Sequence, residues 1–205
     1  TIGFLQRREM YILTRFAAIF ILFFGSLNAD EVSDYVTVVS KLHESLLTTM
    51  KLGDKKSPSE RYDLLEPVIS QSFDFAKIAR IVTGRHWSNA SRADRKYFKN
   101  TLLRLGTSSY VSNFKEHSGH YFEILKSKES GKKAIVETAL IDSENNSIKI
   151  KYMLQKKASE WRIINVIAMG VSDLSLKRAD YSLFLESNSL GALAKTLNDK
   201  IDLSR

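Results

Sequence analysis

Cysteine is absent from this chain, and the 205 residues contain only two prolines and nine glycines. Without thiols there is no disulfide scaffold, no Cys-ligated zinc, no thiol nucleophile and no iron–sulfur cluster. The glycines are scattered singly, so no Gly-rich loop of the kind that cradles phosphate occurs. What is present is 43% hydrophobic residues, 26% charged and 10% aromatic, which excludes a disordered or collagen-like chain. Lys+Arg number 31 against Asp+Glu 23, a formal net charge of +8. The length allows one medium domain, or at most two small ones, with enough apolar content for a real core.

The first thirty residues stand apart. Phe16 to Phe24 is an unbroken apolar run, preceded by Arg7, Arg8 and Arg15 and followed by Gly25-Ser26-Leu27-Asn28-Ala29 and the acidic Asp30-Glu31. A basic region, a short apolar stretch and a small-residue exit read as a secretory signal peptide over residues 1–29, with Met10 an alternative true start. The run is shorter than the roughly 20 residues a membrane span needs. Leu27 is large for its place before a cut after Ala29, so an uncleaved anchor is the alternative. Removing residues 1–29 takes away three basic and one acidic side chain, leaving 28 against 22, or +6. The expected product is an exported single domain, 30–205. A modest basic excess suits an anionic phospholipid surface and equally an ordinary soluble protein.

Periodicity then organises the mature chain. Val32, Tyr35, Val36, Val39, Leu42, Leu46, Leu47 and Met50 recur at three- and four-residue steps, predicting a helix to about Leu52 that Gly53 ends. Ser57-Pro58-Ser59-Glu60 opens a second, Phe73 to Val82 forms a third, and Ser91 caps a long one toward Phe114. On that helix Arg92, Arg95, Lys96 and Lys99 share one arc, opposite Phe98, Leu102 and Leu105. Past Gly106, Tyr110, Val111 and Phe114 swing onto the azimuth that was basic. Either the helix kinks there or its second half is covered from another direction, with an aromatic face able to wall a cavity. Four strands follow, begun by Tyr121–Leu125, Ala134–Ile141, Ile148–Leu154 and Trp161–Ala168, joined by turns at Gly131 and at Asp142–Asn146. Two helices, Asp173 to about Glu186 and Leu190 to Ile201, close the chain. The expected fold is α+β: a four-stranded antiparallel meander with helices before and after it.

No catalytic set emerges. His117 and His120 flank Gly119, which breaks any shared helical face, so they read as solvated loop histidines and no metal site is assigned. Asp142-Ser143-Glu144-Asn145 resembles the start of a calcium loop, but Ser147 and Met153 occupy the glycine and glutamate positions, leaving a hairpin turn. Ser172 lacks the second glycine of a nucleophile elbow and reads as a helix cap. The basic stripe, with Lys126, Lys128, Lys132 and Lys133, is a solvated face or a headgroup or acidic-partner surface; nucleic acid is a poor candidate, because a signal peptide sends the chain away from it. The aromatics around the sheet are either packed core or cavity lining, and period cannot separate the two.

A set of spaced residues carries a resemblance. Phe73-Asp74-Phe75, Ala79-Arg80, Gly84 and Trp87 come first, then Arg95, Phe98, Tyr110 and Phe114. Ser118 to Leu125 (SGHYFEIL), Val136, Thr138, Tyr152-Met153-Leu154 and Trp161 to Val166 (WRIINV) follow. Gly170-Val171-Ser172, Arg178, Tyr181, Gly191, Leu193, Leu197 and Lys200 complete it. Together they resemble the MlaC-type periplasmic phospholipid carriers, the toluene-tolerance family, and their HpnM relatives associated with hopanoids. The SGHYFEIL stretch is closer to the HpnM branch and Gly170-Val171-Ser172 to MlaC. Two departures stand out: Ala90-Ser91-Arg92-Ala93-Asp94 replaces the usual Ser/Thr-Pro-Glu-Gln, and Asn165 replaces the usual aspartate.

The resemblance implies a non-enzymatic shuttle without cofactor, whose cargo is a phospholipid held by its acyl chains between curved sheet and helices. Its implied partners are an inner-membrane ABC transporter complex with its substrate-binding component, and an outer-membrane lipoprotein complex. On this reading the lipid-lining candidates are Phe122, Ile124, Val136, Ile148, Ile150, Tyr152, Ile163 and Val166 on the sheet, with Tyr110 and Phe114 as helix wall. Arg92, Lys96 and Lys99 are the candidate partner or headgroup surface. A binding protein for another hydrophobic ligand such as a hopanoid, or a ligand-free interaction protein, stays open as the alternative.

Overall fold

The computed structural model describes residues 33–203. The expected leader and Met10 lie outside them. Five helices come first: α1 (Asp34–Leu52), α2 (Pro58–Ser72), α3 (Phe75–Thr83), the single turn α4 (His86–Asn89) and α5 (Arg92–Asn113). The strands are β1 (Tyr121–Ser130), β2 (Lys133–Ile141), β3 (Ser147–Lys157), β4 (Glu160–Ala168) and β5 (Val171–Ser172), and α6 (Asp173–Leu185) and α7 (Leu190–Leu203) end the chain. The sheet is antiparallel in chain order, β1 to β5. It therefore has five strands where the sequence predicted four. The added strand is two residues long, too short to show alternation, and is formed by a hairpin turn at Met169 (φ 50°) and Gly170 (φ 82°). Positive φ at both central residues is what a tight hairpin requires.

Local chemistry accounts for the helix ends. In α1 the apolar positions Tyr35, Val36, Val39, Leu42, Leu46 and Met50 are all buried, and Gly53 (φ 43°) stops it. At α2 the Ser57 hydroxyl accepts from the Glu60 N–H while the Glu60 carboxylate accepts from the Ser57 N–H. Phe73 ends α2 and Asp74 caps α3, its carboxylate accepting from the Lys77 N–H at 2.9 Å. The Asp74 N–H in turn donates to the Ile163 carbonyl at 3.0 Å, and Phe73 bridges Ile163, so the α2–α3 corner is tied to β4.

One face of the sheet is covered and the other is open. On β2, Ala134, Val136, Thr138 and Leu140 point to the covered side, opposite Leu154, Tyr152, Ile150 and Ile148 of β3. Helix α1 lies across this face and α2, α3 and α6 pack on β4, while α5 packs on α2 and α3 with α7 behind it. Two bulges break the alternation. Leu125 is an extra residue in β1, and Ile164 an extra residue in β4, so both Ile163 and Val166 turn toward the helices. Leu42, Leu46, Leu65, Ile69, Val136, Phe98 and Ile163 are fully buried, each contributing about 1.5–3 kcal/mol.

Helix α5 is one continuous element. Its change of apolar azimuth comes from cover on two sides. Phe98 meets Tyr181 of α6 at 5.9 Å, whereas Tyr110 meets Phe73 at 6.0 Å and Gly106 lies against the Phe75 ring. Arg95 leaves the basic arc, stacking over Trp87 and donating to the Ser88 carbonyl at 2.9 Å.

Candidate functional site

The second half of α5, the α2–α3 corner and the inner face of β3 and β4 do not close on one another. They leave a cavity of about 240 Å³. Its walls include Phe73, Phe75 and Ile78 from the corner, Tyr110 and Phe114 from α5, Ile150 and Tyr152 from β3, Val166 from β4 and Leu174 from α6. The corner explains why two phenylalanines two residues apart reach the same space. Asp74 reverses the chain between them, so Phe73 leaves α2 and Phe75 enters α3 on the same side. At the rim stand Ser109, Asn113, Asp173 and Lys177, the last two ion-paired.

Aromatic rings run around the cavity in an unbroken chain. Phe75 meets Phe73 at 5.7 Å, Phe73 meets Tyr110 at 6.0 Å, Tyr110 meets Phe114 at 5.6 Å and Phe114 meets Phe122 at 6.3 Å. Phe122 then stacks on the His43 imidazole at 3.7 Å, and His43 Nε2 lies 3.1 Å from the Tyr152 hydroxyl. Burial lowers the His43 pKa to about 4, so the ring is neutral. Burial raises the Tyr152 pKa well above its ordinary value, with Tyr110 adding to it, and it raises that of Tyr110 with help from the Asp173 charge. Both phenols stay protonated. The wall is apolar, uncharged and supplied with hydroxyls that can donate, while charge sits only at the rim.

The candidate residues fall into distinct places. Tyr110, Phe114, Ile150, Tyr152 and Val166 line the cavity. Phe122 is one ring behind, between Phe114 and His43. Val136 and Ile163 face the same way but are sealed at 0% exposure under the helices, so they are core and not lining. Ile124 and Ile148 are 40% and 42% exposed at the sheet's open end, beyond the reach of the helix cover. Arg92, Lys96 and Lys99 are exposed on the first half of α5, which does not border the cavity. Sequence reasoning missed Phe73, Phe75, Ile78 and Leu174 as lining, and His43 as support. The Phe-Asp-Phe triplet was the available signal, since an aspartate between two aromatics at a helix start marks a corner with both rings on one side. His43 gave no signal, because a single histidine on an apolar helix face reads as core.

Elsewhere the polar features are structural. Ser172 caps α6, its hydroxyl accepting from the Ser175 N–H at 3.2 Å. Asn165 Oδ1 accepts from the Ser172 hydroxyl at 3.1 Å and the Leu174 N–H at 3.2 Å, so the amide oxygen does here what an aspartate oxygen would. Asp142 accepts from the Glu144 and Asn146 N–H groups within its hairpin turn. His120 Nδ1 accepts from the Ser118 N–H at 3.0 Å in an exposed loop. Among the described residues no group of three or more His, Asp or Glu is placed to hold a metal ion, and no helix is long and apolar enough to cross a membrane.

An antiparallel sheet covered on one face by helices, with an apolar, aromatic-walled cavity between them, defines an α+β protein. The chain belongs to the MlaC protein family, whose family model matches residues 40–199. No curated protein sequence matches it. Among solved structures, a phospholipid-binding protein from Ralstonia solanacearum, in complex with a phospholipid, superposes with a TM-score of 0.73 at 14% identity, over 83% of this chain and 98% of that one. An iota-carbonic anhydrase from a cyanobacterium reaches a TM-score of only 0.40, at 14% identity over 66% of this chain and 89% of that one, too remote to carry an argument.

Proposed function

We propose that this protein is a periplasmic phospholipid carrier. It holds acyl chains in the cavity between α5, the α2–α3 corner and the sheet, and ferries lipid between the outer and inner membranes as the soluble component of an ABC lipid-transport system. The observation that carries the reading is the apolar cavity with its aromatic wall, in a fold shared with a protein solved with phospholipid. Each acyl CH₂ taken from water is worth about 0.8 kcal/mol, so tails supply the affinity and the headgroup stays at the rim. There Asn113, Asp173 and Lys177 offer polar contacts. A wall of protonated phenols beside a neutral imidazole suits holding and not turnover. The partners that fit are an inner-membrane transporter complex and an outer-membrane lipoprotein complex.

The test is native mass spectrometry of residues 30–205 secreted into a periplasm, with lipid analysis of the extract. A stoichiometric adduct of phospholipid mass is the expected result. A hopanoid adduct would move the reading to that ligand, and a mass that stays ligand-free after incubation with liposomes would overturn it.

A further inference from the structure

On the far side of α5 from the lipid cavity, a groove of about 480 Å³ lies between the start of α2 and the end of α5. The side chains that matter there are Arg61, Ser59, Ser108, Ser112 and Lys115. Arg61 keeps only 6% of its surface exposed, yet among the described residues it has no carboxylate partner. Among the described residues its guanidinium makes one long hydrogen bond, Nη1 donating to the Val111 carbonyl at 3.4 Å, and its Nε has no acceptor. Three buried side-chain polar atoms lack a partner among the described residues, and two of them belong to this groove, Arg61 Nε and Ser108 Oγ. A buried guanidinium without a counter-charge is costly unless something supplies one.

The surroundings say what would. Ser59 stands in the first turn of α2, where the Glu60 and Arg61 N–H groups are already taken by the Ser57 hydroxyl and carbonyl, and it lines the groove. Lys115 adds a second cation at the mouth, and no carboxylate lines the groove. Glu60 does not line it, and its carboxylate is already engaged by the Lys56 amine at 2.7 Å and by the Ser57 N–H and hydroxyl. Glu116, 3.6 Å from the Lys115 amine, is 81% exposed. A guanidinium, an ammonium and serine hydroxyls lining one space match a tetrahedral oxyanion, to which arginine donates charge-assisted hydrogen bonds.

We infer that the groove between α2 and α5 is an anion site for a phosphate-type oxyanion, with Arg61 as its buried anchor and Lys115 and Ser108 as its other donors. The site is separate from the lipid cavity: Val111, Ser112 and Lys115 face it, while Tyr110 and Phe114 face the other way. It does not depend on the carrier reading.

Inorganic phosphate titrated into the full domain, followed by amide NMR at constant ionic strength set with chloride, tests this. Expected are saturable shifts at Ser59, Ser108 and Ser112, weakened roughly tenfold in Arg61→Gln and several-fold in Lys115→Gln and Ser108→Ala. The last two keep the test decisive if Arg61→Gln fails to fold. Should inorganic phosphate be inert while a short-chain phosphatidylglycerol below its micelle concentration moves the same amides, the oxyanion is a lipid headgroup. Shifts equalled by chloride, unchanged in Lys115→Gln and Ser108→Ala, or absent with both probes would overturn the site.

Discussion

At the scale of single residues, neighbours on one strand have unequal fates. Ile148 and Ile150 sit two apart on the same face of β3, but Ile150 is 7% exposed and lines the cavity, whereas Ile148 is 42% exposed. An aspartate at 150 would sit among apolar side chains with no partner, an expense of several kcal/mol for any tail packed against it. Ile150→Asp is expected to lose co-purified lipid in native mass spectrometry, and Ile148→Asp to keep it. Equal loss in both would place the tails over the open end of the sheet. His43 gives a second contrast. Its folded pKa of about 4 lies below the ordinary 6.5, so between those values the unfolded chain binds the extra proton. Stability is therefore full above pH 6.5 and falls as pH drops toward 4, by about 3 kcal/mol in total. Denaturant unfolding from pH 7 to 4 checks this against His43→Gln, which loses the Phe122 stack at every pH and is expected to show the shallower slope. Parallel profiles would mean that His43 titrates as freely as in the unfolded chain.

Among the elements, α5 bears the most on function. Gly106 faces the cavity where the helix passes Phe75, and a Cβ there would stand 3.5 Å from the ring tip, an ordinary contact. Glycine within a helix costs about 0.5–1 kcal/mol relative to alanine. Gly106→Ala should thus raise stability by that amount in chemical denaturation and slow lipid exchange with vesicles, since the cavity of about 240 Å³ is below the roughly 300–1,000 Å³ of ordinary ligand sites and must widen. Loss of stability instead would show that Phe75 cannot yield. The azimuth shift past Gly106 was legible in the sequence because helical period is a local property. So were the main strands, the caps at Ser57, Ser91 and Ser172, and the hairpin turns. The bulges at Leu125 and Ile164 were not, since an extra residue leaves strand composition unchanged while reversing which side chains face inward. Nor was the two-residue β5. The cavity wall was half legible for the same reason: alternation picked Ile150, Tyr152 and Val166 together with Val136 and Ile163, and only the depth of helix cover separates lining from core.

Over the whole molecule, the two faces of the sheet have opposite characters. The covered face is apolar, and the open one carries Lys126, Lys128, Lys133, Lys149 and Lys151 in neighbouring register positions. Glu123 and Glu137 share that face, and Glu137 pairs with Lys151 at 2.9 Å. A second basic cluster, Arg92, Lys96 and Lys99, lies exposed on the first half of α5. A lysine near an anionic membrane contributes about 1 kcal/mol, within a Debye length of about 8 Å at 0.15 M salt. Five lysines on the open sheet face outnumber the three cations of the α5 arc, so that face brings more charge to an anionic surface. Binding to phosphatidylglycerol vesicles should therefore weaken with salt and fall about a hundredfold when Lys126, Lys149 and Lys151 become Gln. The same change at Arg92, Lys96 and Lys99 should cost less. Sedimentation with vesicles across a salt series distinguishes the two, and a larger loss from the helix triple would assign docking to α5.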